Sequence, residues 1–344
     1  MAHRPLVSLL GGLLLAAGCA GPAATPTVAP TVAPTVAPTA VPTAAMPTSL
    51  VIGFVPSREA SALVETIQPI ADYLSQKLGI PVTGYVSTDY TAMVTALSSG
   101  QAQIAALAPF TIIQAVDEAG AELILQSERN GSATYHTQFM TNNPDMYCTI
   151  SPPVENQRDS QINPGTFLNC NGTDRGPTDS PKGPVATDVL ANIPAGTTVS
   201  FVEESSASGY IFPVTILKNA GIDTDNGIQK LFAGAHDASA IAVCNGDAEI
   251  GVSFDDARSE ATSDCDLHTK AVVFAYGDEI PNDGVVVSGD LPESLKAAIK
   301  QALLDYAATD DGKTVLKTVY NITAFAEPNM QALDIVRDAA ANLQ

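Results

Sequence analysis

Thr198-Val199-Ser200-Phe201-Val202-Glu203-Glu204-Ser205-Ser206-Ala207-Ser208-Gly209-Tyr210 is the stretch on which the reading of this chain turns. An extended, largely apolar run (Thr198–Val202) ends in a serine-rich turn, and a helical pattern (Tyr210–Ala220) follows at once. That order predicts a strand, a turn and a helix whose first backbone N–H groups have no internal partner. The helix dipole adds about half a positive charge at the same place. With Ser206 and Ser208 flanking Ala207, hydroxyls and N–H groups converge there, and a tetrahedral oxyanion is the natural occupant. The chain carries 37 acidic against 16 basic residues, a formal charge of −21. An anion must therefore be held by local donors, since the overall field repels it.

Outward from this motif the same grammar recurs. Val51–Val55 reads as a strand, and Leu63, Ile67, Ile70, Leu74 and Leu78 then recur at helical spacing. Strands follow at Val82–Val86, Ile104–Leu107 and Glu122–Leu125, with helices at 90–97 and 110–119 between them. From 142 to 196 the chain is rich in Pro, Asn, Ser, Asp and Gly without a sustained period, which predicts an excursion stapled to the surface. Alternation resumes at 198–203 and continues through a helix at 236–245, a strand at 248–253, a helix at 254–261 and a strand at 271–276. Helices at 291–307, near 311–320 and at 328–342 finish the chain. The fold class is α/β, in two lobes that each hold a mostly parallel sheet flanked by helices. Lobe 1 is expected at 49–140 and 284–344 and lobe 2 at 141–283, joined by hinge strands near Tyr135–Thr141 and Val272–Val287. Open α/β sheets bind ligands at the carboxyl edge of their strands. Ser57, Thr88 to Tyr90, Phe110 to Thr111, Ser206 to Ser208 and His236 all fall at that edge.

The first residues have the form of an export signal. A short polar start (His3, Arg4), an apolar stretch (Leu6–Ala17) and Leu15-Ala16-Ala17-Gly18-Cys19 predict a lipoprotein signal over 1–18, cleaved before Cys19, whose thiol takes the lipid. The stretch is too short to span a membrane, so contact with the membrane is expected through the anchor only. Residues 19–48 form a Thr/Ala/Pro/Val-rich stalk in which proline recurs every fourth residue from Pro22 to Pro42. Such a segment has no donors at its prolines and no amphipathic period, and it predicts an extended spacer.

Four further cysteines fit an exported protein: Cys148, Cys170, Cys244 and Cys265. Three pairings are possible, and the local one, Cys148–Cys170 with Cys244–Cys265, is expected. No CxxC spacing supports a metal site, and the Asp223-Thr224-Asp225-Asn226-Gly227 stretch misplaces the glycine and lacks the closing glutamate of a calcium loop. No metal and no cofactor is expected. GxSxG, HExxH, P-loop and GxGxxG motifs do not occur, which argues against an enzyme. The acidic balance disfavours nucleic acid as a partner.

Several stretches taken together resemble the phosphate/phosphite/phosphonate-binding proteins of ABC importers, a phosphonate-binding-protein-like group of type II periplasmic binding proteins. They are Ile52-Gly53-Phe54-Val55-Pro56, Thr88-Asp89-Tyr90, Arg129–Tyr135, Ser205–Tyr210, Ala233-Gly234-Ala235-His236-Asp237, Ser253–Arg258 and Ile280-Pro281-Asn282-Asp283. They occur in family order over nearly all of 50–344. The resemblance implies that Ser206, Ser208, the backbone around Ala207, Tyr90, Tyr135 and His236 hold an oxyanion. It places Asp256 and Asp283 opposite a ligand's ammonium group. A protonated His236 would be favoured beside such an anion. Two departures stand out: Ala207 replaces the middle hydroxyl of a Ser-Thr-Ser pattern, and the 142–196 insertion is long enough to cover the cleft. The implied function is a monomeric, lipid-anchored, extracytoplasmic receptor that captures phosphate, phosphite or a phosphonate for an ABC permease. The alternatives are a receptor for another small oxyanion such as a sulfonate, or a sensory receptor on the same fold.

Overall fold

A computed structural model describes residues 45–175 and 183–343. The signal, Cys19 and nearly all of the stalk lie outside the described residues. The folded body is built from two mixed sheets. In the first, β1 (Leu50–Phe54) is an interior strand; its alternate residues Leu50, Ile52 and Phe54 are buried, as the period of a strand requires. It lies parallel to β2 (Val82–Val86) and β3 (Ile104–Leu107). The sheet continues through β12 (Gly284–Val287), β4 (Glu122–Glu128) and β13 (Ala324–Ala326), in the order β13-β4-β12-β3-β1-β2, each of these last joints antiparallel. Helices α1 (Ala60–Leu78), α2 (Tyr90–Ser98) and α3 (Pro109–Ala119) follow β1, β2 and β3. Asp89 caps α2 by accepting from the Ala92 N–H at 2.6 Å, which is why the helix begins at Tyr90.

The second sheet runs β6-β7-β11-β5-β10-β8-β9. Its strands are β5 (Thr134–Thr141), β6 (Val154–Arg158), β7 (Gly165–Asn169), β8 (Thr198–Phe201), β9 (Gln229–Phe232), β10 (Ile250–Phe254) and β11 (Val272–Pro281). Short helices α4 (Pro144–Tyr147) and α7 (Leu267–Lys270), and the longer α5 (Phe212–Asn219) and α6 (His236–Asn245), surround it. The chain changes sheet at 129–133 and again at 282–283. Because β5 pairs antiparallel with β10 and β11, it belongs to the second sheet, so the first crossing falls earlier than the expected boundary at 140/141. β12 returns antiparallel between β3 and β4, which makes the first sheet less parallel than expected.

Four apolar clusters fill the faces. One joins α1 with α8 (Glu293–Ala308) and α9 (Asp310–Tyr320) over the first sheet. Another covers the opposite face with α2, α3 and α10 (Asp334–Ala341), and it includes Ala207, Ile211 and Phe212 from the second-sheet side. The helix expected at 254–261 shrinks to one 3-10 turn at Ala257–Glu260, because Asp256 turns back to accept from the Arg258 N–H.

The 142–196 segment is integrated into the core and is not a surface excursion. The β6-β7 hairpin extends the sheet beside β11, and Tyr147, Phe167, Val189 and Leu190 are buried from it. Asn171 is buried as well, its amide donating to the Tyr147 and Phe274 carbonyls at 2.7 and 3.1 Å. Cys148 is bonded to Cys170 and Cys244 to Cys265, the local pairing. Each bridge closes a loop of about twenty residues, for which chain entropy gives roughly 3 kcal/mol. Replacing Cys148 and Cys170 together by serine should therefore lower unfolding free energy by about 3 kcal/mol in a denaturant titration; an unchanged midpoint would show that the hairpin holds without its staple.

Candidate ligand-binding cleft

The serine turn has an unusual local geometry. Residues Ala207–Ile211 form a single π turn before α5, with the N–H groups of Tyr210 and Ile211 both donating to the Ser206 carbonyl at 3.0 and 3.1 Å. The Ala207 and Ser208 N–H groups at its start have no intrahelical carbonyl. Ser206 is the cap, its Oγ accepting from the Gly209 N–H at 3.1 Å. Gly209 is required by space: a Cβ there would lie 2.4 Å from Val202 Cγ2 and 2.8 Å from Ser206 Oγ. From β5, Thr137 Oγ1 donates to the Ser208 carbonyl at 2.5 Å and fixes the turn against the second sheet.

His236 approaches from the start of α6. Its Nδ1 accepts from the Phe254 N–H at 3.2 Å, which leaves the proton on Nε2, 3.3 Å from Ser206 Oγ. The side chain is buried, and desolvation pushes its pKa down to about 3. With no anion beside it the imidazole is therefore neutral and a single-proton donor. Two tyrosines complete the constellation. Both share the cavity with Ser206 and Ser208, and burial raises both phenols well above the usual range, so both stay protonated.

These groups line one cavity of about 100 Å³ between the two sheets. Tyr90, Tyr135, Ser206, Ser208, His236, Asp256 and Asp283 all reach it; Ala207 does not line it, and neither do Thr88, Phe110 or Thr111. No described residue of 142–196 lines it. Val55, Leu107, Pro109 and Phe254 form an apolar wall. Residues that local sequence reading missed are Arg58, Glu260 and Tyr320; the last comes from the end of α9, and only the path of the chain brings it to Ser57. Asp255 and Arg129 line the cavity too, inside motifs already recognised but without an assigned role.

The guanidiniums at the cavity are paired off. Arg58 meets Glu260 across the cleft at 3.0 Å, both side chains nearly buried, and also donates to the Thr318 and Val319 carbonyls. Arg129 meets Asp283 at 2.5 Å, and Ser127 Oγ donates to the same carboxylate at 3.0 Å. Asp256 is held by Arg258 at 2.6 and 2.9 Å, with Arg158 at 3.5 Å. Burial alone would raise the Asp256 pKa, but these guanidiniums outweigh it and hold the carboxyl well below the usual range. Asp256 and Asp283 thus serve arginines, and the ammonium-facing role expected of them has no free carboxylate behind it.

The cleft is shut in this structure. Tyr90 donates its N–H to Glu203 (3.2 and 3.4 Å), Thr91 Oγ1 lies 3.2 Å from Ser205 Oγ, Glu59 donates to Asp237 at 3.0 Å, and His236 donates its N–H to the Ser57 carbonyl at 3.1 Å. Each of these bonds joins the first-sheet side to the second.

Comparison with known proteins places this arrangement. Residues 52–333 match the model of the ABC transporter phosphonate periplasmic substrate-binding proteins. The chain belongs to that family. Its members are substrate-binding components of transporters and not enzymes. The chain is 24% identical over 216 residues to the phosphate-import protein PhnD of Mycolicibacterium smegmatis, a match that covers 61% of this chain and 56% of that protein. The chain thus spans little more than half the length of this curated relative. Among solved structures, PhnD1 from Prochlorococcus marinus in complex with methylphosphonate is similar with a TM-score of 0.65 at 17% identity, over 86% of this chain and 98% of that one. A binding protein component of an ABC phosphonate transporter from Pseudomonas aeruginosa gives 0.63 at 17% identity, over 85% of each chain. Both share the two-lobe type II fold. Family membership implies an extracytoplasmic location, and among the described residues no helix is long and apolar enough to cross a membrane.

The neutral state of His236 has a measurable sign. Its folded pKa, about 3, lies below the unfolded value of about 6.5, so the folded state binds fewer protons in that window. His136, lowered to about 4 chiefly by burial, acts in the same direction. Stability contributed by these imidazoles is present above pH 6.5 and lost as pH falls toward 3. Histidine NMR should show no His236 titration from pH 8 down to 5, and His236→Asn should flatten the acid limb of a stability profile; a mid-range His236 pKa would mean that it binds as a cation.

Proposed function

We propose that the cleft captures a small phosphorus oxyanion, namely phosphate, phosphite or a phosphonate with a small uncharged substituent, and delivers it to an ABC permease. The observation that carries this reading is the convergence of Ser206, Ser208, Tyr90, Tyr135 and the His236 Nε2–H at the start of one helical turn, with both nearby guanidiniums neutralised. Such a set recognises negative oxygen by neutral donors in a desolvated space, where hydrogen bonds to a charged group are strong. The apolar wall of Val55, Leu107 and Phe254 suits a hydrogen or methyl on phosphorus better than an ammonium. Ligand contacts come from both lobes, so binding energy favours the closed arrangement over an open one. We take the lobes to be joined by the crossings at 129–133 and 282–283, and Cys19 to be the lipid anchor that keeps the receptor beside its permease.

A thermal-shift screen over phosphate, phosphite, methylphosphonate, aminoethylphosphonate, sulfate and taurine tests the reading. A ligand at a hundred times its Kd stabilises the fold by about 2.7 kcal/mol. Methylphosphonate or phosphite should give the larger shift and aminoethylphosphonate a smaller one; no shift with any phosphorus anion refutes the assignment. Ser208→Ala should weaken binding by about tenfold to a hundredfold, since a hydrogen bond to a charged group contributes about 1.5–3 kcal/mol. Wild-type affinity in that variant, measured by calorimetry, would reduce the turn to a helix cap. Cys19→Ser should move the protein out of the membrane fraction with binding unchanged, and retention there would rule out the thiol as the anchor.

A further inference from the structure

Asp255 follows β10 directly and lines the cavity, yet nothing in the cradle uses it. Its side chain is only 4% exposed. Oδ1 accepts the His136 backbone N–H at 2.8 Å. Oδ2 has no hydrogen-bond partner from another described residue; the His136 ring Nδ1 is 3.8 Å away, beyond hydrogen-bond reach. That ring is itself fully buried, and neither of its nitrogens has a partner. The residue that carries this unpartnered oxygen therefore lines the ligand space. It is next to the cradle on both sides: Phe254, the preceding residue, donates to His236, and Tyr135, beside His136 on β5, lines the cavity with Ser208.

The groups that face Asp255 are Tyr135 and His136 from β5, Arg158 from β6, Tyr276 from β11 and its neighbour Asp256. Arg158 is the one cation among them, and it is shared with Asp256 and the Tyr276 hydroxyl. The phenols and the imidazole are neutral. We propose that Asp255 and the bound anion share one proton, with Asp255 Oδ2 and a ligand oxygen joined by an O–H···O hydrogen bond, so that anion and proton are captured together. The proposal rests on the oxyanion reading of this cleft. An ionised carboxylate does not sit at hydrogen-bond distance from a second anion unless a proton lies between them. A monoanionic phosphonate brings that proton as its P–OH; a dianion takes it from solvent. Burial already pushes the Asp255 carboxyl up to about 7, and an adjacent anion raises it further, so affinity is held at low pH and lost as pH rises.

Calorimetric titration of the whole protein with methylphosphonate near pH 8.5, in two buffers of different protonation enthalpy, counts the protons. The wild type should take up about one proton per ligand, and its Kd should weaken by about tenfold between pH 8 and 9. Asp255→Asn, whose amide can donate to the dianion directly, should take up none and hold its Kd within about twofold over the same interval; Asp255→Ser replaces it if the amide does not fold. Wild-type binding without proton uptake, or uptake that persists in the variants, overturns the proposal and leaves the oxyanion reading standing. Failure of the wild type to bind methylphosphonate, phosphite and phosphate overturns that reading and the proposal with it.

Discussion

The Ser206 hydroxyl is the junction on which the rest of the cleft depends. It takes the Gly209 N–H from its own turn, meets the His236 Nε2–H from the start of α6 and shares its cavity with Tyr90 from the first-sheet side. Each partner is held in turn by something farther away: Gly209 by the space that Val202 leaves, His236 by the Phe254 N–H, Tyr90 by burial at the head of α2. Segments distant in sequence thus converge on one cavity around this oxygen. A buried hydroxyl with this many neighbours is well satisfied and rigid, which suits a site whose donors must be in place before the anion arrives.

Positive charge at the cavity of this acidic chain is settled locally. Here Arg58 and Arg129 stand at the cavity, each facing a carboxylate of its own, Glu260 and Asp283. Their pairing neutralises the guanidiniums at the cavity and ties distant segments together. Arg58–Glu260 bridges the cleft, and Arg129–Asp283 ties together the two segments where the chain changes sheet. A partly buried pair of this kind contributes little net stability, because desolvation offsets attraction. Breaking one partner would leave the other charge exposed to the ligand and change selectivity.

The same logic accounts for the fate of Asp256. Its position in the Ser253–Arg258 stretch suggests a ligand contact, but Arg258, two residues on, folds back onto it, and Arg158 arrives from the 142–196 hairpin. Arg158 belongs to a segment that reads as irregular, so its approach to Asp256 has no local signature. Insertion of β6 and β7 into the sheet edge places it there. Arg158 thus acts on the site from behind, by occupying an acidic group.

Sequence alone determined the local units. Strand–turn–helix alternation, the Asp89 cap, the serine turn after β8, the start of α6 at His236 and the Cys148–Cys170 and Cys244–Cys265 pairings all follow from periodicity, capping chemistry and loop length, which act over a few residues or one short loop. Tertiary structure decided everything that needs two distant segments at once. It set the place of β5 in the second sheet, the return of β12 between β3 and β4, the arrival of Tyr320 at Ser57, the neutral state of His236 and the pairing of Asp256 and Asp283 with arginines. The physical reason is that desolvation and ion pairing depend on what surrounds a group in space. Neighbours along the chain can nominate a residue for the cleft, but only the packed environment fixes its charge and its partner.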